Sequence, residues 1–371
     1  MTRVLVIRNA YDQDAGGAEQ FALNLCLALE TQGHQPLLMT RVPNIVAKAQ
    51  AAGIPVKRGM WHATQEWGKH YFWRFPATVL WYVWFIIVNR IQVVHAQGRD
   101  DFIFATYAAK LLGKRIVWTD HADLKVVMNL DRHPFPWLRK WIVGASHYVH
   151  AVMCVSRAEL EEIKAVAPEL ESKLVLVHNG VFLPEHVQPA EKDAEFVIVT
   201  NARLVPDKGI GELLEAFAAS TYKTRAKLWL LGADSGNTGL YQQKAAELRI
   251  SGHVRFVGYV SNPNDYVAAA DVFVHASHHE AFSLAIIEAA MLGRAIIATN
   301  VGGAAEIITE ETGILIPPKD AVSITTALDA LLSDPVRRQT LGERAKMKAA
   351  TEFDFTKIVK EKVIPLYEDL H

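Results

Sequence analysis

Short runs of β-branched and aliphatic residues recur along the chain. Each is followed by a polar or glycine-bearing turn, and most then by apolar residues at helical spacing. Residues 4–7 form the first run. Its loop holds Gly16 and Gly17, and Phe21, Leu25 and Ala28 then recur along a helix up to Gly33. Residues 36–40, 93–95, 115–119 and 149–155 are further predicted strands, with helical patterns between several of them. Such alternation predicts a parallel sheet with helices on both faces. The pattern restarts after Leu183. Residues 184–195, rich in Pro, Glu and Lys, read as a linker, and 196–201 as a new first strand. Strands at 227–232, 254–257, 272–275, 295–298 and 313–316 follow, with helices between. The expectation is an α/β chain of two parallel-sheet, Rossmann-like domains, 1–183 and 184–354, with a last helix toward residue 371.

The segment Glu280-Ala-Phe-Ser-Leu-Ala-Ile-Ile-Glu288 carries the densest candidate chemistry. Ser283 is placed to cap a buried helix that runs from Leu284 to Leu292 and ends at Gly293. Free backbone N–H groups around Phe282, Ser283 and Leu284 then form a positive helix end suited to an anion such as a diphosphate. Glu288 lies five residues into the helix from Ser283, roughly 7–8 Å along the axis. The two glutamates are therefore spaced to grip different parts of one long ligand rather than to share a proton. A buried helix with two solvated or ion-paired glutamates is the plainer alternative.

Arg203 and Lys208 fall in the turn after the strand at 196–201, with Pro206, Asp207 and Gly209. A planar guanidinium and a point-charge ammonium in a strand-to-helix loop suit a diphosphate, although a solvated basic turn would look the same. Gly16 and Gly17 precede a helix, as do Gly302 and Gly303. Each pair either lets the backbone approach a ligand or serves as a flexible turn. Glu19 is explained equally well as a helix-start carboxylate. His121 follows a strand in Trp118-Thr-Asp-His-Ala-Asp123. Asp120, His121 and Asp123 match no dedicated metal-site spacing, so no metal is expected.

These motifs together resemble the retaining glycosyltransferases of the GT-B fold, the large family 4 that uses nucleotide-sugar donors. Glu280 and Glu288 match its E-x7-E motif, and the stretch from Asn201 to Gly209 its donor-phosphate loop. Gly16-Gly-Ala-Glu19 and Val301-Gly-Gly303 match its glycine turns. His178-Asn-Gly-Val181 looks like its interdomain signature, which puts Asn179 among the donor-binding positions. The match runs in order through most of the chain. The resemblance implies an acceptor-binding domain, 1–183, and a nucleotide-sugar donor-binding domain, 184–354, facing a central cleft, with the helix 355–371 crossing back to the first. It also implies metal-independent transfer and no cofactor beyond the nucleotide-sugar co-substrate. Glu280 would orient donor-sugar hydroxyls, Glu288 the ribose, and Arg203 and Lys208 the leaving diphosphate, with His121 near the reacting sugar. Asn201 and Ala202 stand where glycine commonly precedes the Arg, and Ala281 replaces the usual glycine after the first glutamate. The second change bears on how the donor sugar fits.

Composition narrows the alternatives. The chain has 371 residues, half of them apolar, with 39 Lys plus Arg against 40 Asp plus Glu. That balance gives no case for nucleic acid as a partner. Two cysteines, Cys26 and Cys154, in apolar surroundings suggest reduced thiols and a cytoplasmic protein. The first seven residues are too short and strand-like for a signal peptide. No G-x-G-x-x-G follows the first strand, which disfavours a dinucleotide oxidoreductase. Aromatic and basic residues cluster over 57–85 and again over 132–141. Such clusters suit a lipid-linked acceptor or the inner face of an anionic membrane. The apolar stretch 77–88 is too short to span and is expected as a buried core helix. The expected function is transfer of a hexose-type sugar to a glycan or lipid-linked acceptor, in lipopolysaccharide or surface polysaccharide biosynthesis. A small soluble acceptor and a non-catalytic binding subunit are the alternatives. Clusters exposed on the surface favour a membrane acceptor, and buried ones a small acceptor.

Overall fold

The computed structural model describes residues 1–9, 16–59, 71–121, 124 and 136–368. The chain divides into two compact units, Met1–Asn179 with Phe355–His371, and Gly180–Asp354. Each is built on one all-parallel sheet, as buried β-branched runs separated by helices require.

The first sheet has seven strands: β1 (Arg3–Arg8), β2 (Gln35–Thr40), β3 (Val56–Lys57), β4 (Val93–Ala96), β5 (Arg115–Thr119), β6 (Ala151–Cys154) and β7 (Leu174–Leu176). Their order is β3-β2-β1-β4-β5-β6-β7. The chain thus winds outward from β1 to one edge, then from β4 to the other. Trp118 on β5 is fully buried, stacks on Phe102 at 4.6 Å between centroids, and donates to Thr106 Oγ1 at 2.9 Å.

The C-terminal segment Phe355–His371 belongs to this unit. Its helix passes through a π turn at Val359–Val363 just before Pro365. Pro365 has no N–H to give and crowds the preceding turn, and a wider turn relieves that crowding. Tyr367 OH is hydrogen-bonded to His95 Nδ1, and the other ring nitrogen of His95 to Thr119 Oγ1. Burial draws the His95 pKa down to about 3, so the ring is neutral and can serve one bond as donor and the other as acceptor. Arg115 Nε donates to the Leu366 carbonyl.

The second sheet has six strands: β8 (Phe196–Asn201), β9 (Ala226–Leu231), β10 (Val254–Gly258), β11 (Val272–His275), β12 (Ala295–Thr299) and β13 (Ile314–Ile316). Their order is β10-β9-β8-β11-β12-β13. Here the winding reverses between β8 and β11. In open parallel sheets the loops beyond such a reversal diverge, and ligands bind in the gap they leave. Each unit therefore has one such point, after β1 and β4 in the first and after β8 and β11 in the second.

The helix Tyr71–Val88 departs from the core helix expected for residues 77–88. Val79, Tyr82, Phe85 and Ile86 are buried, but Leu80, Trp84, Ile87 and Val88 are more than half exposed. The residues are apolar all round, so hydrophobicity alone gives no sign of which face meets solvent. None of the described helices is long and apolar enough to cross a membrane.

Candidate active site

The strongest chemistry lies at the reversal point of the second unit. Lys208, in the loop after β8, places Nζ 2.8 Å from Glu280 Oε2, in the loop after β11. His275 ends β11 and is buried, with Nε2 3.4 Å from the same carboxylate oxygen and no closer partner among the described residues. Burial by itself would raise the Glu280 pKa. The His275 contact and the Lys208 charge outweigh it and draw the pKa down to about 2. Glu280 is thus an ionised acceptor at neutral pH, held beside a cation in a mostly dry place.

Two glycines key these loops together. Gly209 (φ +64°) follows Lys208, and a Cβ there would lie 2.0 Å from the Ala276 carbonyl oxygen. Gly302 (φ +52°) follows β12, and its Cβ would lie 1.6 Å from the Glu280 carbonyl oxygen. Both need the left-handed backbone and the missing side chain. Gly303 N–H donates to Ala281 O at 2.9 Å, and His278 N–H to Asp207 O at 2.7 Å. His278 Nε2 also lies 3.0 Å from Glu212 Oε1. Three strand-end loops are therefore fixed to one another by backbone contact, which sets where Lys208 and Glu280 sit.

Ser283 caps the helix Leu284–Met291 by accepting from Ile286 N–H at 3.4 Å. Phe282 is buried edge-on against Phe353, while Leu284 and Glu288 are half-buried. Arg203 lies in the same strand-end loop as Lys208 and is exposed. Its backbone is fixed from the neighbouring strand. Ala202 N–H donates to Leu231 O and Leu204 N–H to Ala233 O, at 3.0 and 3.1 Å. Its side chain has no hydrogen bond or ion pair among the described residues. The second unit thus brings Lys208, Glu280 and Phe282–Glu288 together, with Arg203 on the same loop as Lys208.

Gly16, Gly17, His121 and Asn179 belong to the first unit. Gly16 caps the helix Gly17–Thr31, and Glu19 closes the turn by accepting from Gly16 N–H at 2.9 Å. The other oxygen of Glu19 accepts from Arg8 Nε at 2.8 Å. Both carboxylate oxygens are therefore engaged in shaping the glycine turn. His121 packs edge-on against Phe21, ring centroids 5.1 Å apart. Burial, then Arg8 and His95, hold its pKa well below the ordinary range, so it is neutral. Asn179 is buried with Oδ1 unpartnered among the described residues. Asp123 and residues 132–135 lie outside the described residues.

His275, His278 and Glu212 were not singled out from sequence. The available signal for His275 was a lone polar residue closing the buried run Val272-Phe-Val-His275.

Two parallel-sheet units, each with polar side chains beyond the strand ends of a reversal point, have the architecture of the GT-B fold. The sequence agrees in both halves. Residues 15–183 match the model for Glycosyltransferase Family 4, and residues 183–348 that for Glycosyl transferases group 1. The chain belongs to this family. It is 29% identical over 174 residues to the capsular polysaccharide biosynthesis glycosyltransferase CapM of Staphylococcus aureus, covering 46% of each chain. It is 30% identical over 206 residues to the lipopolysaccharide core biosynthesis glycosyltransferase LpsE of Rhizobium meliloti, covering 54% of this chain and 59% of that one. The matches thus span about half the length of these curated relatives. Anabaena Alr3699/HepE, solved in complex with UDP, superposes with a TM-score of 0.81 over 99% of both chains. At 18% identity that likeness is one of fold.

Proposed function

We propose that the chain is a retaining glycosyltransferase moving a hexose-type sugar from a nucleotide-sugar to a glycan or lipid-linked acceptor, without a metal. The Lys208–Glu280 pair at the reversal point of the second unit is the observation that carries this reading. Lys208 supplies a positive charge for the diphosphate that leaves, with Arg203 adding a fork on the same side. Glu280, ionised and rigidly seated, accepts from donor-sugar hydroxyls, and Glu288, further along the helix, accepts from the ribose. The acceptor hydroxyl attacks on the face from which the diphosphate departs, and a donor phosphate oxygen takes its proton. The protein contributes positioning and charge stabilisation. In the second unit, Phe282, Ser283 and Leu284 offer backbone N–H groups to the donor; in the first, Gly16, Gly17 and Asn179 are the proposed donor-binding positions.

A surface-glycan role in the cytoplasm, in lipopolysaccharide or polysaccharide biosynthesis, is supported by what CapM and LpsE are named for. It is also supported by the exposed stripe Leu80, Trp84, Ile87 and Val88, flanked by exposed Arg74 and Arg90. An apolar helix face with basic ends suits the interface of an anionic membrane, where a lipid-linked acceptor would lie. Flotation with anionic vesicles at low salt should carry the wild type upward and leave Trp84→Glu behind. Wild-type protein that stays wholly in solution removes the membrane from the account.

The test of the donor site is a thermal-shift screen against UDP-, GDP-, ADP- and CMP-sugars. A ligand at a hundred times its dissociation constant adds about 2.7 kcal/mol to the folded state. A shift with one nucleotide that Lys208→Ala abolishes is expected. No shift with any of them would favour a binding subunit.

A further inference from the structure

In the second unit, the loops that carry Lys208 and Glu280 are tied a second time, by side chains outside the donor contacts proposed above. Glu212 stands in the first turn of the helix Ile210–Ala219, which begins just after the Lys208 turn. Its Oε1 accepts from His278 Nε2 at 3.0 Å. The pair is largely buried, His278 being 12% and Glu212 26% exposed, so its bond is worth more than a solvated surface pair. His278 also donates its backbone N–H to Asp207 O at 2.7 Å. It therefore holds the turn on both sides of Lys208, at Asp207 before it and at Glu212 after it. On the other loop, Glu280 follows His278 by two positions. The Ala276 carbonyl, two positions before His278, packs on the backbone of Gly209.

The two ties answer differently to a ligand. Lys208 and Glu280 attract each other at 2.8 Å, and that attraction helps to close their loops. A bound diphosphate draws on the same ammonium, and sugar hydroxyls donate to the same carboxylate, so this first tie weakens as the donor arrives. The bond from His278 to Glu212 has no part in those contacts and keeps its strength. A grip on diphosphate and sugar together needs the two loops at one spacing. A displacement of about 1 Å would part the charge that meets the diphosphate from the carboxylate that meets the sugar. We propose that His278, held by Glu212, is a positioning residue that keeps Lys208 and Glu280 in register while a nucleotide-sugar is bound. This rests on the donor-site reading above and names the side chains that hold the geometry of that site.

His278→Ala and Glu212→Ala test it. His278→Gln is the conservative variant, because its amide keeps an N–H donor at the same reach. Calorimetry compares the affinities of UDP, GDP and ADP with those of UDP-glucose, GDP-mannose and ADP-glucose. Wild type is expected to bind one sugar conjugate more tightly than its nucleotide. His278→Ala should reduce that extra affinity about fivefold and leave the affinity for the nucleotide alone unchanged. His278→Gln should restore most of it. Glu212→Ala should match His278→Ala, and the two together should cost no more than either, because they remove one tie. Amide hydrogen exchange gives a second reading. With nucleotide-sugar bound, exchange over 205–212 and 276–281 should rise about fivefold in His278→Ala. Lys244→Ala, which removes the partner of Glu215 on the same helix, should change neither reading. An unchanged extra affinity in His278→Ala would overturn the proposal. So would a loss that His278→Gln does not repair, which would mark a packing role. Wild type that binds no nucleotide would remove the donor-site reading and this proposal with it. Nucleotide binding that is lost in Lys208→Ala stands independently, so failure of the His278 variants alone leaves that reading intact.

Discussion

Glu280 is a carboxylate kept ionised where burial alone would neutralise it. Its pKa is drawn from 4.5 to about 2, and a depressed acid stabilises the fold at pH values above its unfolded pKa. That contribution, about 3 kcal/mol, is complete above about pH 4.5 and is lost as pH falls toward about 2. Urea titrations across that window should show a shallower loss for Glu280→Gln than for wild type. Asp101 has the opposite sign. Burial raises its pKa from 3.8 to about 6 against the bonds from Asn9 and Tyr82 and the charge of Arg8. Its contribution is present below about pH 3.8 and lost as pH rises through about 6, so Asp101→Asn should flatten that fall. Lys208→Ala is expected to cost about 3 kcal/mol of barrier, a hundredfold or more in rate. Glu288→Gln should weaken nucleotide binding itself, measured by calorimetry. At this scale the sequence exposed the residue types but not their partners. Lys208 and Glu280 are 72 positions apart, and their contact depends on β8 and β11 being neighbours. The carboxyl of Glu19 was legible as a helix-start group, whereas its bond to Arg8 needed β1 to pass beside it.

The elements are strands whose ends are locked by close backbone approach. Gly302→Ala would drive a methyl into the Glu280 carbonyl, and Gly209→Ala into that of Ala276, so the loops must part. Each should lower stability by about 1–3 kcal/mol and turnover by more than that alone explains. Gly236→Ala is the control. It has positive φ but open space around it, and should cost only about 1 kcal/mol with activity kept. Long buried runs such as Phe196–Asn201 and Arg115–Thr119 were legible because β-branched and aromatic residues crowd there. β3 and β7 were not, being two and three residues long and only partly buried. The helix Leu284–Met291 was legible from its cap and closing glycine, but the two faces of Tyr71–Val88 were not, since apolar residues occupy both.

For the whole molecule, the repeated strand–helix alternation was enough to give two parallel sheets, and the restart near residue 184 to separate them. Strand order was not legible from periodicity, and it is strand order that gathers the loops. The C-terminal segment is tied to the first sheet by a few polar bonds around His95. Tyr367→Phe should cost about 1–2 kcal/mol, because one ring nitrogen of a buried imidazole loses its partner. Differential scanning calorimetry should show that loss in the transition of the first unit and spare that of the second.

The central claim is that Glu280 acts on the donor sugar while the nucleotide is held by other groups. It is tested most directly by measuring, for wild type and Glu280→Gln side by side, nucleotide affinity and single-turnover rate with the donor that the thermal shift selects. The account predicts nucleotide affinity within a few-fold of wild type and a rate lower by about a hundredfold or more. A variant that loses nucleotide affinity but turns over normally once saturated would contradict it.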